Sequence, residues 1–263
     1  QASSEIENVV TTNDELFKAF SAPSQAFDPA TKEVLRYREA LWEGFTELSK
    51  SGSLATNLYI KTYQTIKKTQ AGIRKTPGTA LVNGAGGIIY TPPEGEAAIR
   101  EKLKNLEDYT HGKDKTDPLI KLAILHYQFE SIHPFTDGNG RTARALATLI
   151  LYKRGYDFRR LFALEDYYNL DRQAYYKAIN NGENYEKRKT DFTPWLEYFV
   201  KGFKEEIDDV KRKVISLSNK KIKQGIGLKI FLGKEQMEIL DFLDQIGKIT
   251  AKDVVDIIKC PKR

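Results

Sequence analysis

The chain has 263 residues, 40% of them hydrophobic and 30% charged, with a formal net charge of +6. That length buries one good core and at most a small second domain, and no apolar run reaches the ~18 residues of a membrane span. A single cysteine, Cys260, rules out an internal disulfide framework and, without a basic-then-apolar leader, points to a reducing, cytoplasmic setting; three histidines leave little room for a zinc site.

Helical spacing with few β-branched runs marks 13–21, 31–51 and 54–73. Composition changes at 74–93, where 79–82 and 88–91 read as two short strands. Asn83-Gly84 and Gly86-Gly87 between them permit a turn, and Pro92-Pro93 ends the second strand. This predicts a small hairpin on a helical body. Helix resumes at about 95–108. Asp117 then caps a helix with Pro118 in its first turn. It runs to about Ile132 and buries Leu122, Leu125, Phe129 and Ile132. Residues 133–139 interrupt it. The next helix starts near Gly140, keeps Leu146, Leu149 and Ile150 in the core, and stops before Gly155. Further helices are expected at about 169–180 and 193–222.

Residues 223–233 read as a linker with a short extended piece, followed by short helices at 234–246 and 250–259. Such a pair resembles a helix-turn-helix, short of a complete winged helix. It is either a hairpin packed on the body, a homodimer contact or a nucleic-acid contact. Its scattered basic residues do not favour nucleic acid. No internal repeat is visible.

The most informative stretch is His133-Pro-Phe-Thr-Asp137-Gly138-Asn139-Gly140-Arg141-Thr-Ala-Arg144. Gly138, Asn139 and Gly140 open a helix, where free N–H groups bind anions and glycine admits a phosphate closely. The plainer reading is an Asn-Gly turn, but helical patterns flank both sides. Arg141 and Arg144 share one face of the first turns. There they oppose the helix dipole, which suggests an anion to hold; otherwise they are solvated arginines. Asp137 beside bound phosphates needs a cation such as Mg²⁺ between them, or is simply a helix cap. His133, at the end of the preceding helix, can accept a hydroxyl proton near neutral pH. His126, seven residues earlier, reads as a packed helix residue.

These twelve residues match every specified position of the Fic-domain signature, His-x-Phe-x-(Asp/Glu)-Gly-Asn-Gly-Arg-x-x-Arg. The chain resembles the Fic (Fic/DOC) family over about 75–205, where the Thr-Pro-Pro hairpin and Ala123-x-x-His126-x-x-Phe129-Glu130 are also family-like. The resemblance implies a mainly α fold: a Fic helical bundle with a β-hairpin flap at about 78–92, within a core at 74–222. A helical region would precede it at 1–73, and the helix-turn-helix-like segment at 223–263 would follow. It implies a protein adenylyltransferase that moves AMP from ATP onto a Ser, Thr or Tyr hydroxyl of a protein substrate. His133 looks like the base and Asp137 like the Mg²⁺ ligand. Gly138, Asn139, Gly140 and Arg141 look like the α/β-phosphate site, and Arg144 like the γ-phosphate contact. Thr79, Ala80, Leu81 and Val82 resemble the strand that aligns a target segment. Tyr175 resembles a nucleotide contact, with Asn180 or Asn181 beside it; otherwise the tyrosines at 175 and 176 pack helix on helix.

Ser3-Ser4-Glu5-Ile6-Glu7-Asn8 matches (Ser/Thr)-x-x-x-Glu-(Gly/Asn) at Ser3, Glu7 and Asn8. In this family the pattern resembles an inhibitory helix near 3–8, whose glutamate competes with the γ-phosphate for Arg144. Ser4-x-x-Glu7 is equally a capping box. The reading is thus an autoinhibited adenylyltransferase that needs no membrane. The alternatives are a de-AMPylating hydrolase at the same site, transfer of another phosphate-linked group, or a DNA-binding regulator with a nucleotide-sensing core.

Overall fold

In a computed structural model, the structure describes residues 1–21, 27–156, 164–180, 182–188, 191–223 and 239. In chain order these form α1 (Ala2–Ile6), α2 (Asn13–Ser21), α3 (Pro29–Ser51), α4 (Thr56–Lys67), β1 (Leu81–Val82) and β2 (Ile88–Tyr90). There follow α5 (Glu96–His111), α6 (Pro118–Ile132), α7 (Asn139–Lys153), α8 (Leu164–Leu170), α9 (Arg172–Ile179) and α10 (Thr193–Lys223). Gln1–Val210 make one compact unit and Lys211–Arg263 a second. Of the second, the end of α10 is the main part described. The expected linker at 223–233 and helices at 234–246 and 250–259 lie outside the described residues apart from single positions. Among the described residues, no helix is long and apolar enough to cross a membrane.

The mainly α expectation holds. Helices α6 and α7 are buried on nearly every side, as expected of helices enclosed by others. Helix α5 packs on α6, while α3 and α4 pack on each other and on α7. Leu122, Leu125, Phe129, Ile132, Leu146, Leu149 and Ile150 are all in the core. From α10, Trp195 donates its indole N–H to the Ala123 carbonyl at 2.8 Å, fixing α10 against α6.

Two boundaries differ from expectation. The periodic stretch 54–73 gives a helix only to Lys67, because Lys68 turns left-handed (φ 50°). The Thr69 N–H then closes onto the Gln64 carbonyl at 3.1 Å, a Schellman-type stop. The helix expected at 169–180 is two helices, because Asp171 accepts from the Ala174 N–H at 2.9 Å and caps a new start. Helix α8, at the head of that region, carried too short a pattern to be foreseen.

The hairpin forms, with Leu81 opposite Tyr90 and Val82 opposite Ile88 across an irregular register. Its loop is organised by Asn83, whose side-chain oxygen accepts from Ala85 N–H (3.0 Å) and Gly87 N–H (2.9 Å). Gly86 supplies the positive φ of 81° that the turn requires. The end of β2 is held at its far edge: Thr91 exchanges backbone bonds with Glu183 (2.9 Å) and Tyr185 (3.0 Å). Among the described residues, no backbone bond reaches the outer edge of β1.

His126 is fully buried in α6, with Nε2 3.2 Å from the Tyr175 hydroxyl and its ring stacked on Trp195. Burial pushes its pKa down to about 3, so the folded protein keeps it neutral. The unfolded chain takes up that proton near pH 6.5. The stabilising contribution is therefore complete above pH ~6.5 and is lost as pH falls toward the folded value, at about 1.4 kcal/mol per pH unit. Urea unfolding measured from pH 7 to 4 should show His126→Gln with a flatter acid decline than wild type. Parallel declines would exclude His126 as a source of acid sensitivity.

Candidate active site

The signature segment folds as a helix end, a short loop and a helix start. His133 ends α6 in a left-handed conformation (φ 49°), its N–H bonded to the Phe129 carbonyl at 3.0 Å. Burial pushes its imidazole down to about 4, and the nearby Arg74 guanidinium adds to the shift. The ring is therefore neutral at pH 7 and able to accept a proton.

The loop is locked from both sides. Phe135 is buried and stacks on Tyr63 with centroids 4.0 Å apart. The Asn139 side chain accepts from the Phe135 N–H and donates to the Phe135 carbonyl, both at 2.8 Å. Asn139 thus braces the loop with its amide while its own N–H belongs to the helix start. Gly138 is the N-cap (φ 75°), and no side chain caps α7. The first N–H groups of α7 consequently remain for an anion. Asp137 is not the cap; it bends back onto the Gly138 N–H. A Cβ on Gly140 would collide with Glu7 Oε1 and lie 2.9 Å from Arg144 Nη1. Glycine there opens the seat that this carboxylate fills.

The charges around the seat are paired internally. Arg141 pairs with Glu33 of α3, and its Nη2 lies 3.2 Å from Asp137. Lys67 of α4 lies 2.7 Å from Asp137 and 3.6 Å from Glu33. The dipole cost of an arginine at the helix start is thereby offset by Glu33 from outside the motif and by Asp137 within it. Among the described residues, no three His, Cys, Asp or Glu side chains gather into a metal cage. A single carboxylate, 62% exposed at the edge of the nest, fits a Mg²⁺ ion held mainly by phosphate oxygens.

Arg144 is buried and fully engaged by the N-terminal segment. Its Nε donates to Ser3 Oγ (2.9 Å), and Nη2 donates to the Ser3 carbonyl and to Glu7 Oε1 (both 2.8 Å). Ser4 is inside α1, its hydroxyl buried without a partner among the described residues, and the helix cap is Gln1. The capping-box alternative is therefore not realised. Asn8 is left-handed (φ 60°), a conformation asparagine and glycine tolerate best. That accounts for the residue type after the glutamate. Asn8 Oδ1 accepts from Arg172 at 3.1 Å, and Glu5 accepts from Asn169 at 2.7 Å, tying α1 to α8 and α9.

Tyr175 lies 2% exposed in an aromatic cluster, stacked on Tyr168 with centroids 4.7 Å apart. Its ring packs helix on helix, while the half-exposed Tyr176 faces α1 through a 3.4 Å bond to the Ile6 carbonyl. Asn180 ends α9, and Asn181 lies outside the described residues. Thr79, Ala80 and Leu81 are half-buried along the free edge and Val82 is exposed. Glu33, Lys67 and Arg74 were not foreseen. They sit on ordinary helical or loop positions, and only the tertiary fold brings them to the motif.

Residues 53–151 match the profile of the Fic/DOC family, and residues 1–46 that of the Fic/DOC family N-terminal region. The protein adenylyltransferase fic-1 of Caenorhabditis elegans is 42% identical over 69 residues, covering 26% of this chain and 13% of that protein. A Fido domain-containing protein of Dictyostelium discoideum is 35% identical over 109 residues, covering 41% of this chain and 71% of that protein. The matched stretch is thus a small part of the nematode protein's length. Among solved structures, a Fic family protein from Desulfovibrio desulfuricans has a TM-score of 0.64 at 20% identity, covering 100% of this chain and 73% of that one. Fic-1 (residues 134–508) from C. elegans has a TM-score of 0.62 at 20% identity, covering 83% and 62%.

Asn139→Ala leaves the buried Phe135 N–H and carbonyl without their partner. It should cost about 2–5 kcal/mol in chemical denaturation, one desolvated group at each end of the lost amide. A loss below about 1 kcal/mol would show that water or backbone movement replaces the brace.

Proposed function

This chain belongs to the Fic/DOC family, and from that premise we propose that it is a protein adenylyltransferase held inactive by its own N-terminal helix. It moves AMP from ATP to a Ser, Thr or Tyr hydroxyl of a protein. The observation that carries the reading is the glycine-lined seat at Gly140: an anion site at a helix N-terminus, filled by the carboxylate of Glu7 and closed by Arg144.

Remove Glu7 and the same seat has the chemistry of a phosphate site. The first N–H groups of α7 and the side chains of Arg141 and Arg144 face it. The neutral His133 takes the proton of the target hydroxyl as its oxygen bonds to the α-phosphorus. The bond to the bridging oxygen breaks, and pyrophosphate leaves with the negative charge that the two arginines neutralise. Asp137 would hold Mg²⁺, which supplies further neutralisation of phosphate charge. For that, Lys67 must release the carboxylate it now pairs with. The target segment adds to the free edge of β1 at Thr79–Val82. Tyr175 belongs to the wall on the nucleotide side.

Glu7 competes with the γ-phosphate because both need the fork of Arg144. Ser3 helps, since its hydroxyl and its carbonyl each accept a bond from Arg144. A second reading uses the same carboxylate, which fills the seat at Gly140: Glu7 can orient water to remove AMP from a modified target. Incubation with an AMPylated protein separates the two, because the hydrolase releases AMP with Glu7 intact.

Wild type, Glu7→Gly and His133→Ala are to be incubated with α-labelled ATP and Mg²⁺. Glu7→Gly should label itself and added protein well above wild type. His133→Ala on that background should lose about 100-fold or more of the rate. Labelling that persists without His133 overturns the mechanism, and no rise in a folded Glu7→Gly overturns the inhibition.

A further inference from the structure

Arg74 precedes the hairpin and is 3% exposed, yet it has no carboxylate bonded to it among the described residues. All its bonds are to backbone carbonyls. Its Nε donates to His133 O at 2.8 Å, its Nη2 to Pro93 O and, at 3.5 Å, to Ile132 O, and its own N–H to Pro134 O at 2.9 Å. Tyr90, at the end of β2, adds its hydroxyl to Ser131 O at 2.8 Å.

The last carbonyls of a helix have no partner within it. Here those of α6 and its exit are served by residues at the two ends of the hairpin. A guanidinium is suited to the task, because its planar fork spans several acceptors and its charge faces the negative end of the helix dipole. The strained element is His133 itself, a non-glycine residue at φ 49°. Such a backbone persists only where its surroundings fix it. Arg74 bonds the carbonyl on that residue and on both its neighbours.

We propose that Arg74 is a positioning residue for His133, locking the backbone of the base to the foot of the hairpin so that a target strand on β1 and the base share one frame. This rests on the transferase reading above. Arg74 touches neither nucleotide nor target; it acts through His133. Its charge also bears on the imidazole. The groups whose charge or dipole acts on that ring are Arg74 before β1, Glu7 after α1, Asp137 in the loop and the Glu130 carbonyl on α6. Arg74 disfavours the protonated ring and the other three favour it.

The test uses the full chain carrying Glu7→Gly, with Arg74→Gln and Arg74→Lys compared against that parent. ATP binding, measured by calorimetry with Mg²⁺, should be unchanged in both. The kcat for transfer to protein should fall about tenfold or more in both, since misplacement of a reacting group is costly. The acid limb of the rate should move to higher pH in Arg74→Gln, because the imidazole then holds its proton longer, and stay in place in Arg74→Lys, which keeps the charge. Rates that fall only in step with the folded fraction seen by circular dichroism, with an unmoved limb in Arg74→Gln, overturn the proposal. If Arg74→Gln does not fold, Arg74→Lys decides by its kcat alone. If the parent transfers nothing, the transferase reading fails by itself. NMR titration of His133 then decides for Arg74: an upward shift in Arg74→Gln supports the role, and an identical titration overturns it.

Discussion

A guanidinium buried as fully as that of Arg144 must have an anion and hydrogen-bond acceptors around it, or the fold could not hold it. That requirement organises the N-terminal half of the site. Ser3 and Glu7 meet it in this structure, which is why a five-residue helix, too short to be stable alone, is fixed against α7, α8 and α9. Gly140 answers the same requirement from the other side, because any side chain there would stand where the carboxylate stands. Arg144, Glu7 and Gly140 are therefore one device: a cation, an anion and the room for the anion.

The other end of the motif obeys a different constraint. His133 must leave α6 at once so that the chain can turn into the loop and re-enter a helix six residues later. The left-handed turn does this, and it exposes carbonyls that Arg74 and Tyr90 occupy. Between the two ends, the Asn139 amide and the Phe135 ring keep the loop from moving. His133 and the start of α7 are thus held at a fixed separation by neutral, buried contacts. The charged groups pair with one another. In the proposed transferase, that division would let the site bind a polyphosphate without changing shape.

The parts legible in sequence were those written in local spacing. The Asp117-Pro118 start of α6, the Asn83 and Gly86 turn and the twelve-residue motif all depend on neighbours within a few positions. So did the stop before Gly155, which has φ 78°. The failures have the same explanation turned round. Lys68 ends α4 by a left-handed turn at a residue with no glycine signal. Asp171 splits an unbroken apolar pattern by capping, which periodicity does not register. The capping box at Ser4 and Glu7 was a valid local pattern, but a buried arginine 137 residues away took the carboxylate instead. Glu33, Lys67 and Arg74 are invisible for the same reason: nothing near them in the chain marks a helix-surface charge as a partner of a distant loop. Tyr175 is placed by the same long-range packing. Its helix is where the resemblance put it, yet the ring turned into the core, because His126, Tyr168 and Trp195 offered a better place for it than solvent.

The internal pairing sets the energetics of any nucleotide that enters. Before a polyphosphate arrives, Arg144 is held by Ser3 and Glu7, Arg141 by Glu33 and Asp137, and Asp137 by Lys67. A phosphate gains only the difference between its own contacts and the pairs it displaces, so binding is weaker than a count of arginines suggests. The two arginines are not equivalent in this respect. Arg141 pairs with Glu33, a carboxylate of α3 outside the Gly140 seat, so in the proposed transferase it would not have to give up that partner to meet phosphate. Arg144 cannot keep Glu7, since the carboxylate lies in the seat itself. In the proposed transferase, inhibition would therefore fall on the terminal phosphate and spare the rest of the nucleotide. In the proposed transferase, a ligand lacking that phosphate would meet much less competition from Glu7, so the N-terminal helix would discriminate between substrate and product-like nucleotides by charge.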